Sequence, residues 1–269
     1  MLRPTLKIAI VVTDESLEYL NKEDFFKLYD NFIRGYGENE NEYEIITQRF
    51  SSFDKEWPSD PFSWDGYIIT GSIANAYDQD EWILLLKQRI SELANNNIKI
   101  FGICFGHQII AEALGGKCEK NQKGWEIGQH TIKLEKQVSN IFSNLINNNN
   151  SNNNNNNNNK MILNDDEISL YQIHQDHVTI IPNDMISIGA TELSSAQGML
   201  RESKLKPGTY NILSFQGHPE FDYNFIHLLI VDLKSINVDQ EIIENGLKTL
   251  QKSSDQKLIS KLVFNFFKN

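Results

Sequence analysis

Short apolar runs rich in β-branched and aromatic residues recur along the first part of the chain, at Ile8 to Val12, Tyr43 to Thr47, Tyr67 to Thr70 and Ile98 to Ile103. Each has the length and composition of a strand. The segments between them carry helical spacing instead: Phe25, Leu28, Phe32 and Ile33 share one face, as do Trp82, Leu85, Leu86, Arg89, Ile90 and Leu93. Such stripes lie down on a sheet. Alternating strands and helices predict βαβ units and a largely parallel sheet covered on both sides. The run Leu6 to Thr13 is the buried first strand of that sheet.

Beyond a helix that begins near Cys104 and ends at Gly115 and Gly116, the pattern changes. Short strands follow at Gly128 to Leu134, Ile168 to Ile173, Met185 to Ala190, Ala196 to Arg201 and Asn211 to Phe215, which predicts an antiparallel extension. Asn224 to Leu233 and Gln240 to Phe267 read as two closing helices. The expected organisation is a single α/β domain over 1–269, with a core at about 6–235 and a C-terminal helix at 240–267. Residues 147–159 are asparagine apart from Ser151. With no apolar side chain to bury, this tract has nothing to offset its ordering entropy, so it is expected to be a disordered insertion.

Composition narrows the function. The 269 residues carry 36 acidic and 25 basic side chains, a formal net charge of −11, which argues against a nucleic-acid partner. The two cysteines, Cys104 and Cys118, are too few for a disulfide scaffold and fit a reducing cytosol. The apolar N-terminal run is too short for a membrane span or a signal peptide.

Chemistry concentrates in IKIFGICFGHQIIAEALGG. It joins a buried strand, a glycine-flanked turn and an apolar helix, with Cys104 at the apex. Gly102 and Gly106 let the chain pass close by in the strained conformation such an elbow needs. The helix that follows turns its free N–H groups and positive dipole end toward the sulfur, favouring thiolate. The Phe105 N–H is the natural first donor to an oxyanion. Cys118 lacks any such surroundings and reads as a buried small hydrophobe.

Downstream, ILSFQGHPEF is a strand running into a turn. His218 and Glu220, one residue apart, project to the same side of an extended backbone about 6.6 Å apart at Cα. The carboxylate can then fix the imidazole as the orienting member of a nucleophile, base and orienter set.

GICFGHQ and GHPE together resemble the signature of class I, triad-type glutamine amidotransferases, over most of the chain from Leu6 to the helix after Phe221. The resemblance implies a flavodoxin-like amidotransferase fold with Cys104, His218 and Glu220 as catalytic triad. ITGS at Ile69 to Ser72 matches the family's glycine turn, with Thr70 in place of a first glycine. That match implies that Gly71 gives the second oxyanion-hole amide beside Phe105, with Ser72 at the substrate. YQIHQDHV is similar to the family's substrate-side loop and puts His174 there, and Gln108 is similar to a residue lining the γ-glutamyl pocket. His174, Asp176 and His177 carry metal-ligating side chains, but the resemblance assigns this loop to the pocket, and no metal or cofactor is expected.

Within the family, the likeness is greatest to stand-alone members such as plant γ-glutamyl peptidases. It implies a hydrolase that acts on γ-glutamyl bonds of glutamine or of peptides such as glutathione conjugates, through a γ-glutamyl thioester. The absence of a visible acceptor module favours this reading. Two alternatives stay open: a glutaminase subunit passing ammonia to a separate synthase partner, and a non-catalytic binding protein with the same fold.

Overall fold

The structure, a computed structural model, describes residues 3–14, 22–35, 39–147, 166–250 and 254–269. Apart from Asn147, the asparagine tract lies outside the described residues.

The alternation read from the sequence produces β1 (Thr5–Val12), α1 (Lys22–Ile33), β2 (Glu44–Ser51), β3 (Gly66–Ile69), α2 (Glu81–Asn95), β4 (Lys99–Ile103) and α3 (Phe105–Ala113). There follow β5 (Lys117–Lys120), β6 (Glu126–Leu134), α4 (Lys136–Asn147), β7 (Glu167–His174), β8 (Asp176–Ile180), β9 (Ile186–Ser187), β10 (Gly189–Ala190), β11 (Gly198–Glu202) and β12 (Tyr210–Phe215). The chain closes with α5 (Tyr223–Asp232), α6 (Gln240–Thr249) and α7 (Gln256–Lys268).

The main sheet has seven strands in the order β2-β1-β3-β4-β12-β11-β9. The first five run parallel, and β11 and β9 pair antiparallel at one edge. Side chains alternate across β1, so Ile8, Ile10 and Val12 enter one core while Ala9 and Val11 enter the other. Both faces are therefore dry, which is why these strands lack polar alternation. Phe32 of α1, Phe142 of α4 and Phe264 of α7 cover the first face; Leu86 and Ile90 of α2 with Ile109 of α3 cover the second.

The expected antiparallel extension is a separate three-stranded sheet, β10-β6-β7, together with the β5-β8 pair. A third apolar cluster, including Ile127, Tyr171, Ile226, Ile230 and Ile243, seats α5 and α6 on it. One expectation is corrected: Gln240 to Phe267 is two helices, because α6 ends at Thr249 and α7 begins at Gln256. The polar run between them, QKSSD, supplies no apolar position to continue the stripe.

This topology sets the position of the site. Thr13, Thr70, Cys104 and Gln216 each follow directly on the carboxyl end of a parallel strand. In open α/β sheets that edge is where chains leave a crevice for ligands.

Candidate active site

Cys104 sits between β4 and α3 with φ 53° and ψ −106°. A non-glycine residue there costs roughly 1–3 kcal/mol and persists only when its surroundings over-determine it. They do. The Cys104 N–H donates to the Phe215 carbonyl at 2.9 Å, which continues the β4–β12 ladder. The Gly106 N–H donates to the Thr70 carbonyl at 3.0 Å. A Cβ on Gly106 would collide with the Ile69 carbonyl, and one on Gly102 would come 2.6 Å from the Gly106 oxygen. Glycine at both positions is therefore a steric requirement of the turn, as the sequence suggests. Cys104 is 7% exposed. The Phe105 N–H, in the first turn of α3, has no partner within the helix.

His218 follows β12, and its N–H donates to the Tyr171 carbonyl at 2.8 Å, tying the turn to β7. Its ring lies flat on Phe221, with centroids 4.1 Å apart and planes 7° from parallel. Nδ1 is 2.7 Å from Glu220 Oε1, so Nδ1 carries the proton donated to the carboxylate and Nε2 is left for Cys104. Burial works against charging this ring, but the Glu220 carboxylate and the Cys104 sulfur outweigh it and raise the imidazole to about 10. An imidazolium beside a thiol is the electrostatic arrangement that activates sulfur.

The loop after β3 departs from the expected assignment. The Gly71 N–H donates to the Tyr29 hydroxyl at 3.1 Å, so it is already engaged and not turned into an open hole. The Gly71 carbonyl is tied in the opposite sense, accepting from Thr13 Oγ1 at 2.8 Å and Thr70 Oγ1 at 3.1 Å. In a trans peptide the N–H points opposite to the C=O. The amide facing away from that interior anchor is therefore that of Ser72. Ser72 Oγ itself accepts from the Ala74 N–H at 3.1 Å and shapes the loop.

Gln108 and His174 come to the same region, but both are held by protein groups. Gln108 Nε2 donates to the Asp176 carbonyl at 3.0 Å and to Gln216 Oε1 at 3.2 Å. His174 pairs through Nε2 with Glu126 Oε2 at 3.1 Å and through Nδ1 with the Asp176 carbonyl at 2.9 Å. Burial disfavours the Glu126 carboxylate, yet His174, Thr191 and His130 hold it below the usual range. His174 thus braces the loop that carries Asp176.

Two contributors were not singled out from sequence. Gln216 Nε2 donates to Cys104 Sγ at 3.7 Å, and Tyr29 is fully buried behind Gly71. Gln216 lies two residues before His218, close enough to the HPE segment to have been flagged. Tyr29 reads in sequence as one more apolar position of α1. Cys118 is buried, and burial pushes its thiol up. Among the described residues no group of three or more His, Cys, Asp or Glu side chains is disposed to hold a metal ion. No helix among them is long and apolar enough to cross a membrane.

Comparison with known proteins gives the family and the fold. A family model described as glutamine amidotransferase class-I matches residues 24–227. The chain is 26% identical over 275 residues to gamma-glutamyl peptidase 2 of Arabidopsis thaliana, covering 100% of this chain and 98% of that one. Gamma-glutamyl peptidase 4 of the same plant is 28% identical over 226 residues, with 81% and 80% covered. A glutamine-hydrolysing GMP synthase of Fusobacterium nucleatum is 25% identical over 201 residues, covering 75% of this chain but 32% of that protein. Among solved structures, a glutamine amidotransferase from Thermotoga maritima aligns with a TM-score of 0.64 at 17% identity, over 98% of this chain and 99% of that one. A glutamine amidotransferase from Methylobacillus flagellatus aligns at 0.65 and 16% identity, over 100% and 95%. The fold expected from the sequence is the fold these structures share.

Proposed function

The chain belongs to the glutamine amidotransferase class-I family, an enzyme of the hydrolase or amidotransferase type, and from that premise we propose that it hydrolyses γ-glutamyl amide bonds through Cys104, His218 and Glu220. The observation that carries the reading is the pairing of the strained, glycine-flanked Cys104 with a buried imidazole held by Glu220 at 2.7 Å.

In the proposed reaction the Cys104 sulfur attacks the side-chain carbonyl of a γ-glutamyl group. The negative charge that develops on its oxygen is met by the Phe105 N–H and, in view of the Tyr29 contact to Gly71, by the Ser72 N–H. His218 donates its Nε2 proton to the departing amine, and the carbon–nitrogen bond breaks to leave a γ-glutamyl thioester. The neutral imidazole then takes a proton from water, whose oxygen attacks the thioester, and glutamate leaves as the thiol reforms. Glu220 keeps the proton-bearing Nδ1 fixed through both halves.

The substrate reading favours γ-glutamyl peptides such as glutathione and its conjugates. The named gamma-glutamyl peptidases align along 98% and 80% of their own length, against 32% for the GMP synthase. That partial likeness keeps a second reading in play, a glutaminase that passes ammonia to a partner. Purified protein incubated separately with glutathione and with glutamine distinguishes them. Release of free glutamate from glutathione, lost in Cys104→Ser, is expected. Glutamine hydrolysis that rises only on addition of a second protein, with glutathione untouched, would overturn the peptidase reading.

A further inference from the structure

Glu220 holds the His218 ring by one nitrogen only. The bond at Nδ1 leaves the imidazole free to swivel about the line of that bond, and Nε2 is buried with no hydrogen-bond partner among the described residues to stop it. What stops it is Phe221. The two rings lie with centroids 4.1 Å apart and planes 7° from parallel. Neutral aromatic pairs prefer offset or edge-on contacts with centroids about 4.5–7 Å apart, whereas so close and flat a contact suits a cation lying on the negative face of a ring. Phe221 is gripped in turn. It is 3% exposed, meets Phe225 edge-on with centroids 4.7 Å apart and planes 70° apart, and belongs to the apolar cluster of Ile226 and Ile230 on α5.

We propose that Phe221 is a positioning residue that carries the His218 imidazolium on the face of its ring and so sets the plane in which Nε2 meets Cys104. Burial is the largest influence on the imidazole and opposes its charge. Glu220 offsets that cost from the edge of the ring, and the quadrupole of Phe221 offsets it from the face, where water would otherwise solvate the cation. The other neighbours do not supply this. Glu220 from the same turn and Cys104 from the elbow are the ionisable groups that act on the ring. Strand β7 faces it with Tyr171, whose carbonyl accepts the His218 N–H and whose phenol burial keeps protonated. The loop after β3 brings Gly71, backed by the Tyr29 phenol, which burial likewise keeps protonated. The ionisable side chains Asp222, His227 and Asp232 at and on α5 are exposed. The inference rests on reading Cys104, His218 and Glu220 as the reacting set.

The test uses Phe221→Leu, which keeps the site dry and removes the aromatic face, and trifluorophenylalanine at position 221, which keeps the ring and drains its face of negative charge. Two readouts are taken: the pH at which His218 loses its proton, read by alkylation of Cys104 with iodoacetamide and needing no γ-glutamyl substrate, and kcat and KM on glutathione. In Phe221→Leu that pH falls by ~1 unit, and kcat falls about tenfold with KM nearly unchanged, the pattern of a contact felt at the transition state. The fluorinated ring lowers the pH in the same direction by about half as much. Phe225→Leu, which removes the edge-on contact and leaves the stack, keeps it in place. A pH of proton loss that the fluorinated ring does not lower overturns the proposal, whatever Phe221→Leu does, because shape alone would then explain the contact. Should Phe221→Leu not fold, the fluorinated protein decides by itself. A lowered pH in a protein that cleaves no γ-glutamyl bond upholds Phe221 and overturns the peptidase reading alone.

Discussion

His218 Nδ1 stands 2.7 Å from Glu220 Oε1 although only Pro219 separates the two residues. So short a separation leaves the pair little freedom to come apart. It also places the carboxylate on the side of the ring opposite the nitrogen that serves Cys104, which fixes the tautomer by local chain geometry.

Replacing Glu220 therefore tests the electrostatics of the site directly. Burial alone lowers the His218 pKa, and the Glu220 carboxylate is the largest influence raising it. In Glu220→Gln the imidazole loses the largest influence that keeps it charged, and the Cys104 sulfur with it loses part of its cationic neighbour. A fall in kcat of about 10²-fold or more is expected, with the pH at which His218 loses its proton, read by alkylation of Cys104 with iodoacetamide across pH, displaced downward. Stability has its own sign. A folded-state value raised above the unfolded 6.5 gives His218 a stabilising contribution that is complete below pH 6.5 and lost as pH rises toward 10. Denaturant titrations of the wild type at pH 6, 8 and 10 should show that loss, and Glu220→Gln should flatten it. A variant with unchanged alkylation and unchanged turnover would remove Glu220 from the mechanism.

Gly71 offers a steric test that leaves every ionisable group in place. A Cβ there would lie 3.2 Å from His218 Cε1 and 3.7 Å from Cys104 Cβ. The added methyl fits only if the imidazole retreats by a few tenths of an ångström. A misplacement of about 1 Å costs on the order of 10²-fold in rate, so a retreat of a few tenths costs a smaller, severalfold share of that. Gly71→Ala is thus expected to lose most of its turnover while its melting temperature stays within a few degrees of wild type, by calorimetry. Full activity would mean that His218 does not work from this position.

How much of this was legible in the sequence follows the range of each interaction. The elbow at Cys104 was readable because strand, glycines and helix are contiguous, and the steric demand at Gly102 and Gly106 is local. The His218 and Glu220 pair was readable for the same reason. Tyr29 was not: its contact with Gly71 spans 42 positions, and in sequence a tyrosine on the apolar stripe of α1 is one more core residue. The direction of the Ser72 N–H escaped likewise, since it depends on Thr13, which follows β1 and holds the Gly71 carbonyl. The β5-β8 pair went unread because each strand buries a single apolar side chain, Cys118 and Val178. Helix α4 is legible in principle, for Val138, Phe142, Leu145 and Ile146 hold helical spacing, but the stripe is short and runs directly into the asparagine tract.

The buried pair of His174 and Glu126 carries the last prediction, about the loop and not the reacting groups. Both side chains are at most 5% exposed and stand 3.1 Å apart. Glu126 also accepts from Gln197 Nε2 at 2.7 Å, and His174 Nδ1 reaches the Asp176 carbonyl at 2.9 Å. Removing one partner of a buried pair leaves the other uncompensated, typically at about 3 kcal/mol. Glu126→Gln should lower stability by that order at pH 7 in urea unfolding. The pH dependence has a definite sign. Because the folded-state pKa of Glu126 is depressed below 4.5, its contribution is present above pH 4.5 and is lost as pH falls through the folded value. The gap between wild type and Glu126→Gln must therefore narrow on acidification. A gap that stays constant from pH 7 down to the acid transition would show that the carboxylate's charge is not what steadies the Asp176 loop.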